Sequence, residues 1–195
     1  MIKCKNLYLR SIENRDLPDI YTIILKDGIG SAYSTTHYEL TLGTLSNQLF
    51  DRQEGTDSKV FVVKKGKETI GFVTLNDIHP IRRSAQVGAI GLKKEYRGDR
   101  KEGFFGKSYA LEIAGAIVVY AFEVLNLHKL TAHTFNDNSN MGNTYRIGGF
   151  KKEGEKQDFI PKNGKWLNRL DWALLRKEYD ELDNYKEFKK FIDWK

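Results

Sequence analysis

The residue types best suited to holding an anion lie between Phe104 and Ala110, in the run Phe104-Phe105-Gly106-Lys107-Ser108-Tyr109-Ala110. This loop opens a segment that carries almost no charge up to Val124. Read as a helix, that segment begins with backbone N–H groups that have no intrahelical partner and sit at the positive end of the helix dipole. Such a terminus holds an anion, for example a pyrophosphate. Asn138 follows an Asn-rich turn and reads as the N-cap of a short helix. Tyr145 lies on that helix, and from the residues alone it reads as a packed aromatic. None of His37, His79, His128 and His133 has a second His, Cys or carboxylate at a ligand spacing, so no metal site is expected. His128 and His133 are five residues apart across a strand, face opposite sides, and read as structural. The chain has no Gly-x-Ser-x-Gly, P-loop or dinucleotide fingerprint.

The elements that would position this loop run strand (Gln86–Leu92), loop, helix, strand (Leu130–Phe135), then a short helix ending at Gly148-Gly149-Phe150. Upstream, Leu7 and Leu9 alternate with polar neighbours as in a strand. Asp16-Leu17-Pro18 predicts a helix start with Asp16 as N-cap, an apolar face of Ile20, Ile23 and Ile24, and an end at Gly28 and Gly30. A second helix is expected around Leu40–Phe50, in a segment placed to cover a substrate site. Lys59–Lys64 and Thr69–Asp77 read as strands joined through Lys65-Gly66-Lys67. Downstream, Phe150–Asp158 and Trp166–Leu175 flank Pro161-Lys162-Asn163-Gly164, and Asn-Gly between two such runs is a hairpin signal. Leu182, Tyr185, Phe188 and Ile192 then recur at helical spacing. The expected organisation is one domain over residues 1–175, with an amphipathic helix over 176–195 packed on it or extending from it.

At 195 residues the chain buries about 70% of its unfolded surface without a staple. Its lone Cys4 excludes an internal disulfide and fits a reducing cytoplasm. The formal charge of +6 comes without a basic run, so no specific nucleic-acid partner is expected, although a positive surface attracts polyanionic cofactors. Met1–Arg10 alternates like a strand and does not read as a signal peptide. The apolar run Ile113–Phe122 is far shorter than the ~20 residues of a membrane span. A cytoplasmic protein with no membrane partner is the expectation.

Residues 69–175 resemble the GNAT superfamily of acyl-CoA N-acetyltransferases, most closely the branch of ribosomal-protein N-terminal and polyamine acetyltransferases. Thr69-Ile70-Gly71-Phe72-Val73 resembles the family's third strand, and Ala89-Ile90-Gly91-Leu92 with Glu95-Tyr96-Arg97-Gly98 its fourth strand and exit. Tyr120-Ala121-Phe122 and Leu127-His128-Lys129-Leu130 resemble the end of the cofactor helix and the fifth strand. Asn136-Asp137-Asn138, Tyr145 and Gly149-Phe150 match the segment after it. The family's R/Q-x-x-G-x-G/A loop falls, counted back without gaps, on Phe105-Gly106-Lys107-Ser108-Tyr109-Ala110, with Phe for Arg/Gln and Ser for the middle Gly. Arg97-Gly98 looks like the opening of the same loop, separated by an insert.

The resemblance implies an α/β fold: a mixed twisted sheet of about seven strands, splayed between the fourth and fifth, with helices on both faces. It implies acetyl-CoA as cosubstrate, no metal, and a small-molecule or peptide amine as acceptor; a homodimer is compatible with it. It also implies that the cofactor lies along Ala89, Ile90, Gly91 and Leu92, with its pyrophosphate over Phe105, Gly106, Lys107, Ser108, Tyr109 and Ala110, and that Asn138 touches the pantetheine arm. Tyr145 would be the general acid at the thiolate. The missing loop cation would come from Arg97 or Arg100, unless the insert Arg97–Gly103 is merely an exposed loop. No base declares itself: Gln86 stands where related enzymes often have Glu, leaving Glu39, His37 and His79 as candidates. The alternative is a noncatalytic CoA-binding or interaction domain with a degenerate loop.

Overall fold

The computed structural model describes residues 1–25, 41–55, 57–98 and 108–194. Among the described residues, nine strands form one sheet: β1 (Ile2–Lys3), β2 (Tyr8–Ser11), β3 (Lys59–Lys65), β4 (Glu68–His79), β5 (Ser84–Leu92), β6 (Lys129–Phe135), β7 (Lys151–Lys162), β8 (Lys165–Leu175) and β9 (Asp193–Trp194). Their spatial order is β7-β8-β6-β5-β4-β3-β2-β1-β9. Seven of these are the strands expected from the sequence; β1 and β9, each of two residues, add an antiparallel edge through Ile2↔Trp194 and Lys3↔Asp193. Every neighbour pair is antiparallel except β5 and β6.

The described helices are α1 (Leu17–Leu25), α2 (Leu42–Glu54), α3 (Tyr109–Val119), α4 (Ser139–Ile147), α5 (Arg176–Glu181) and α6 (Asp183–Lys189). They divide between the two faces of the sheet. Ile20 and Ile23 of α1 and Leu45 and Leu49 of α2 bury Val60, Val62 and Phe72 on one face. On the other, α3 packs over Val73, Leu75, Val87 and Leu130. Because α3 is apolar all round it must be enclosed all round, and Ile113, Ala116, Ile117 and Val118 have no exposed surface. Its one charge, Glu112, is also buried, and its carboxylate accepts hydrogen bonds from Asn6 N and Nδ2 at 2.8 and 3.0 Å. A π-helical turn, Tyr120–Val124, follows α3.

Two local readings are revised, and a third cannot be compared. Asp16 does not cap α1: its carboxylate turns back to accept from Glu13 N at 2.9 Å and from two nitrogens of Arg10 at 2.7 Å each. Gly28 and Gly30, read as the end of the first helix, lie outside the described residues. In place of a single tail helix there are two, α5 and α6, separated at Leu182 and followed by β9, and they bury Tyr179, Tyr185 and Phe188 in the main core. The Asn163-Gly164 turn has φ of 51° and 75°, the positive pair that a two-residue type I′ hairpin demands. Among the described residues, no helix is long and apolar enough to cross a membrane.

Candidate active site

The parallel pairing of β5 and β6 runs only from Ser84↔Lys129 to Val87↔Ala132. Both strands continue, β5 to Leu92 and β6 to Phe135, so a gap opens between them at their C-terminal ends. The cause lies on the other side of β5. Leu75 pairs with Val87 and Val73 with Ile90, so Thr74 alone faces both Gly88 and Ala89. Two residues against one is a β-bulge, which bends the longer strand away. Thr74 Oγ1 accepts from Ala89 N at 3.1 Å and holds the bulge. Gly88 is required there: a Cβ would lie 2.1 Å from Thr74 Oγ1 and 2.4 Å from Asn76 Nδ2.

Alternation then decides what faces the gap. The N–H of Ala89 is turned to β4, as is that of Lys93, which donates to Ile70 O at 2.9 Å. The N–H groups of Ile90 and Leu92 therefore point to the gap. The carbonyl of Leu92 points the same way and accepts from Arg97 Nε and Nη2 at 3.0 and 2.8 Å, which pins Arg97 to the mouth of the gap.

At that mouth α3 begins. Ser108 is its N-cap, accepting from Leu111 N at 3.1 Å. Tyr109 is buried edge-on against Tyr96, and Lys65 Nζ sits 5.4 Å from the Tyr109 ring. Asn138 caps α4 as expected, its Oδ1 accepting from Met141 N at 3.2 Å. Tyr145 is 2% exposed, its ring 5.2 Å from that of Phe150. The chain just after it is braced: Phe150 N donates to Tyr145 O at 3.0 Å, and Tyr185 Oη to Gly148 O at 2.8 Å. Leu182 lies so close to Gly149 that a Cβ there would meet Leu182 Cδ1 at 2.4 Å. Arg100, Phe105, Gly106, Lys107, His37 and Glu39 lie outside the described residues.

His79 is not brought to this place. It pairs with Ser84 at the start of β5, about 20 Å from Ile90 at strand spacing, and its Nδ1 accepts from Arg82 N at 3.2 Å. His133, read from the sequence as structural, lies in the middle of β6. Strand register places Asn76, Gln86, Thr131 and His133 on the same side of the sheet, with Asp171 opposite His133. This is the side of Phe72, α1 and α2, away from α3 and α4. Asn76 Oδ1 and His133 Nδ1 are both buried and have no hydrogen-bond partner among the described residues. Burial, together with the Arg169 guanidinium, holds the His133 imidazole below its ordinary range against the opposing pull of Asp171.

Residues 6–151 match the acetyltransferase (GNAT) domain family. The chain belongs to the GNAT family. It is an acetyl-CoA-dependent N-acetyltransferase that acts on an amine. This GNAT chain is similar to the spermidine N(1)-acetyltransferase of Vibrio cholerae serotype O1, with 29% identity over 177 residues covering 89% of this chain and 95% of that protein. It is similar to the Escherichia coli K12 spermidine N(1)-acetyltransferase at 27% identity over 180 residues, covering 92% and 91% of the two chains. The crystal structure of the Vibrio cholerae spermidine N-acetyltransferase in complex with CoA and spermine superposes with a TM-score of 0.76 at 26% identity, covering 89% of this chain and 98% of that one.

Proposed function

We propose that this GNAT enzyme acetylates a polyamine of the spermidine class, with acetyl-CoA held in the gap between β5 and β6. The observation that carries the acceptor class is similarity over nearly the whole length of the Vibrio cholerae spermidine enzyme, 95% of it. The donor side rests on the backbone. The gap-facing N–H groups of Ile90 and Leu92, on the edge formed by Ala89, Ile90, Gly91 and Leu92, suit the spaced amides of a pantetheine arm, which pairs there as an added strand does. Ser108, Tyr109 and Ala110 open α3 and, with Phe105, Gly106 and Lys107 before them, supply amide donors for the pyrophosphate. Arg97, pinned to Leu92 O, brings a cation to the same mouth, and Arg100 follows it in the chain. Asn138 uses its Oδ1 as the cap, leaving Nδ2 for the arm.

In this reading the Ile90 N–H polarises the thioester carbonyl where the oxyanion develops. The amine nitrogen bonds to that carbon, the C–S bond breaks, and Tyr145 Oη donates a proton to the leaving sulfur. The position of Tyr145 on α4, which packs against α3 and β6, supports this role. Steady-state acetyl transfer to spermidine, spermine, a peptide with a free N-terminus and an aminoglycoside tests the acceptor class. Spermidine or spermine should exceed the others in kcat/KM by at least ~10-fold, a difference of about 1.4 kcal/mol. A preference for the peptide or the aminoglycoside would overturn the polyamine reading.

A further inference from the structure

We infer that His133 is the general base that takes the proton from the acceptor amine, on a floor it shares with Asn76. The inference rests on the reading of the gap as the site of transfer and adds the acceptor's side of it. The sheet separates the two substrates. Tyr145 and the start of α3 lie on one face, whereas Asn76, Gln86, Thr131 and His133 lie on the other, the face on which α1 and α2 pack. The two faces communicate where β5 and β6 part, beyond Val87 and Ala132. His133 is the first residue of β6 past that point whose register puts it on the α1 and α2 face.

Its chemistry fits an amine. Buried polar atoms in native proteins are almost always hydrogen-bonded, and each exception calls for a partner. Among the buried side-chain atoms of the described residues, the two exceptions are Asn76 Oδ1 and His133 Nδ1. A carbonyl oxygen and an unprotonated imidazole nitrogen are both acceptors, and an ammonium group is a donor only, with three N–H bonds to give. At strand spacing the two residues are about 12 Å apart between backbones, a span their side chains and one nitrogen close from either side. Gln86, between them in register, adds an amide.

The proton balance is simple. The ammonium N–H bond breaks toward His133 Nδ1, freeing the nitrogen lone pair for attack, and the imidazolium returns this proton to water; the second N–H proton, released as the tetrahedral intermediate collapses to the amide, passes through water to the Tyr145 phenolate left when the sulfur is protonated. The groups that act on the imidazole are Arg169 and Asp171 on β8 and Lys156 on β7. Arg169 Nε is itself bound to Asp171 Oδ1 at 2.7 Å. From its own strand His133 meets the Phe135 ring at 6.2 Å. Burial and the two cations keep the imidazole neutral at pH 7, the form a base needs.

The experiment is the pH dependence of kcat/KM for the amine that turns over fastest, in wild type and His133→Gln. Wild type should lose activity as the pH falls through the imidazole range, below about 6.5. His133→Gln should lower kcat by ~10²-fold, abolish that acid limb and leave the KM for acetyl-CoA unchanged. Glutamine keeps hydrogen-bonding capacity and size, so a merely structural role would leave the acid limb in place, and that result overturns the proposal. In wild type, the Nδ1 resonance of 15N-labelled His133 should shift when spermidine is added to the CoA complex; no shift with spermidine or with the fastest amine also overturns it, whether or not the variant folds. Preference for a non-polyamine acceptor removes the polyamine reading alone, since the His133 measurements are then made on that acceptor.

Discussion

Thr74→Val tests whether the bulge, and not the mere presence of a gap, prepares β5 for catalysis. Thr74 is 2% exposed and its Oγ1 accepts the Ala89 N–H at 3.1 Å. Valine keeps the shape and removes the acceptor, leaving a buried N–H unpaired at a cost of about 1–3 kcal/mol. The added methyl returns about 0.8 kcal/mol of apolar burial. A net loss of about 0.2–2 kcal/mol lowers Tm by up to about 8 °C in a chain of this size. The larger effect should be on rate. If Ala89 moves to find another acceptor, the Ile90 N–H moves with it, and a displacement of about 1 Å at a reacting group costs about 10²-fold. Thr74→Ser retains the oxygen and should keep kcat within about threefold of wild type. Calorimetry and single-turnover acetyl transfer on the three proteins read both effects. Equal kcat in the valine and serine variants would refute the reasoning, because the hydroxyl would then not position the strand.

Tyr145→Phe should bind acetyl-CoA like wild type while kcat falls by ~10²–10⁴-fold, the usual contribution of a general acid; turnover within twofold of wild type would leave the hydroxyl a structural group. Ala110→Glu places an acid in the first turn of α3, where the helix dipole favours it, so the fold should hold while the Kd for acetyl-CoA rises more than about tenfold by titration calorimetry. Asp16→Asn leaves Arg10 without its buried carboxylate and should cost about 3 kcal/mol at pH 7. Burial alone would raise the Asp16 pKa, but the bonds from Arg10 and Glu13 N hold it below the ordinary carboxylate value. The stabilisation is therefore full above about pH 4 and fades as the pH falls through the depressed value, so urea melts of wild type and variant should converge in acid. Truncation after Leu175 removes Tyr179, stacked 4.7 Å from Phe122, together with buried Tyr185 and Phe188. At about 1.5–3 kcal/mol per large buried side chain, the shortened protein should fail to show a cooperative thermal transition by circular dichroism.

The elements around the gap were legible because each carries a local signal. The apolar run Gln86–Leu92 marked β5, the nearly uncharged run after it marked α3, Asn138 announced its own helix as a cap, and Asn163-Gly164 demanded a tight hairpin. What stayed hidden depends on partners distant in sequence. Nothing in Ile2–Lys3 or Asp193–Trp194 identifies the other as its neighbour. Asp16 has the residue type and spacing of a cap, and only the approach of Arg10 diverts it. Period-two alternation does put His133 opposite His128 in facing, but which face lies under α1 is set by packing across the sheet. The role of Thr74 follows from a register shift on the neighbouring strand, and β4 by itself reads as a regular buried strand.

The pairing of Ile2 with Trp194 and Lys3 with Asp193 also sets the order in which the sheet can assemble. Closing a loop costs entropy that grows with its length, while the reward here is a ladder of only two residues on each side. The hairpins β3–β4, β4–β5 and β7–β8 close over short turns and can form early, as high local contact favours. The outer ladder of β1 and β9 can gain only after β2 is seated on β3 and the segment carrying Tyr179, Tyr185 and Phe188 has docked on the core. It is therefore a late event on the folding pathway and an early one on unfolding. That edge can open and reclose as a unit of its own, while the interior strands that carry the gap stay paired.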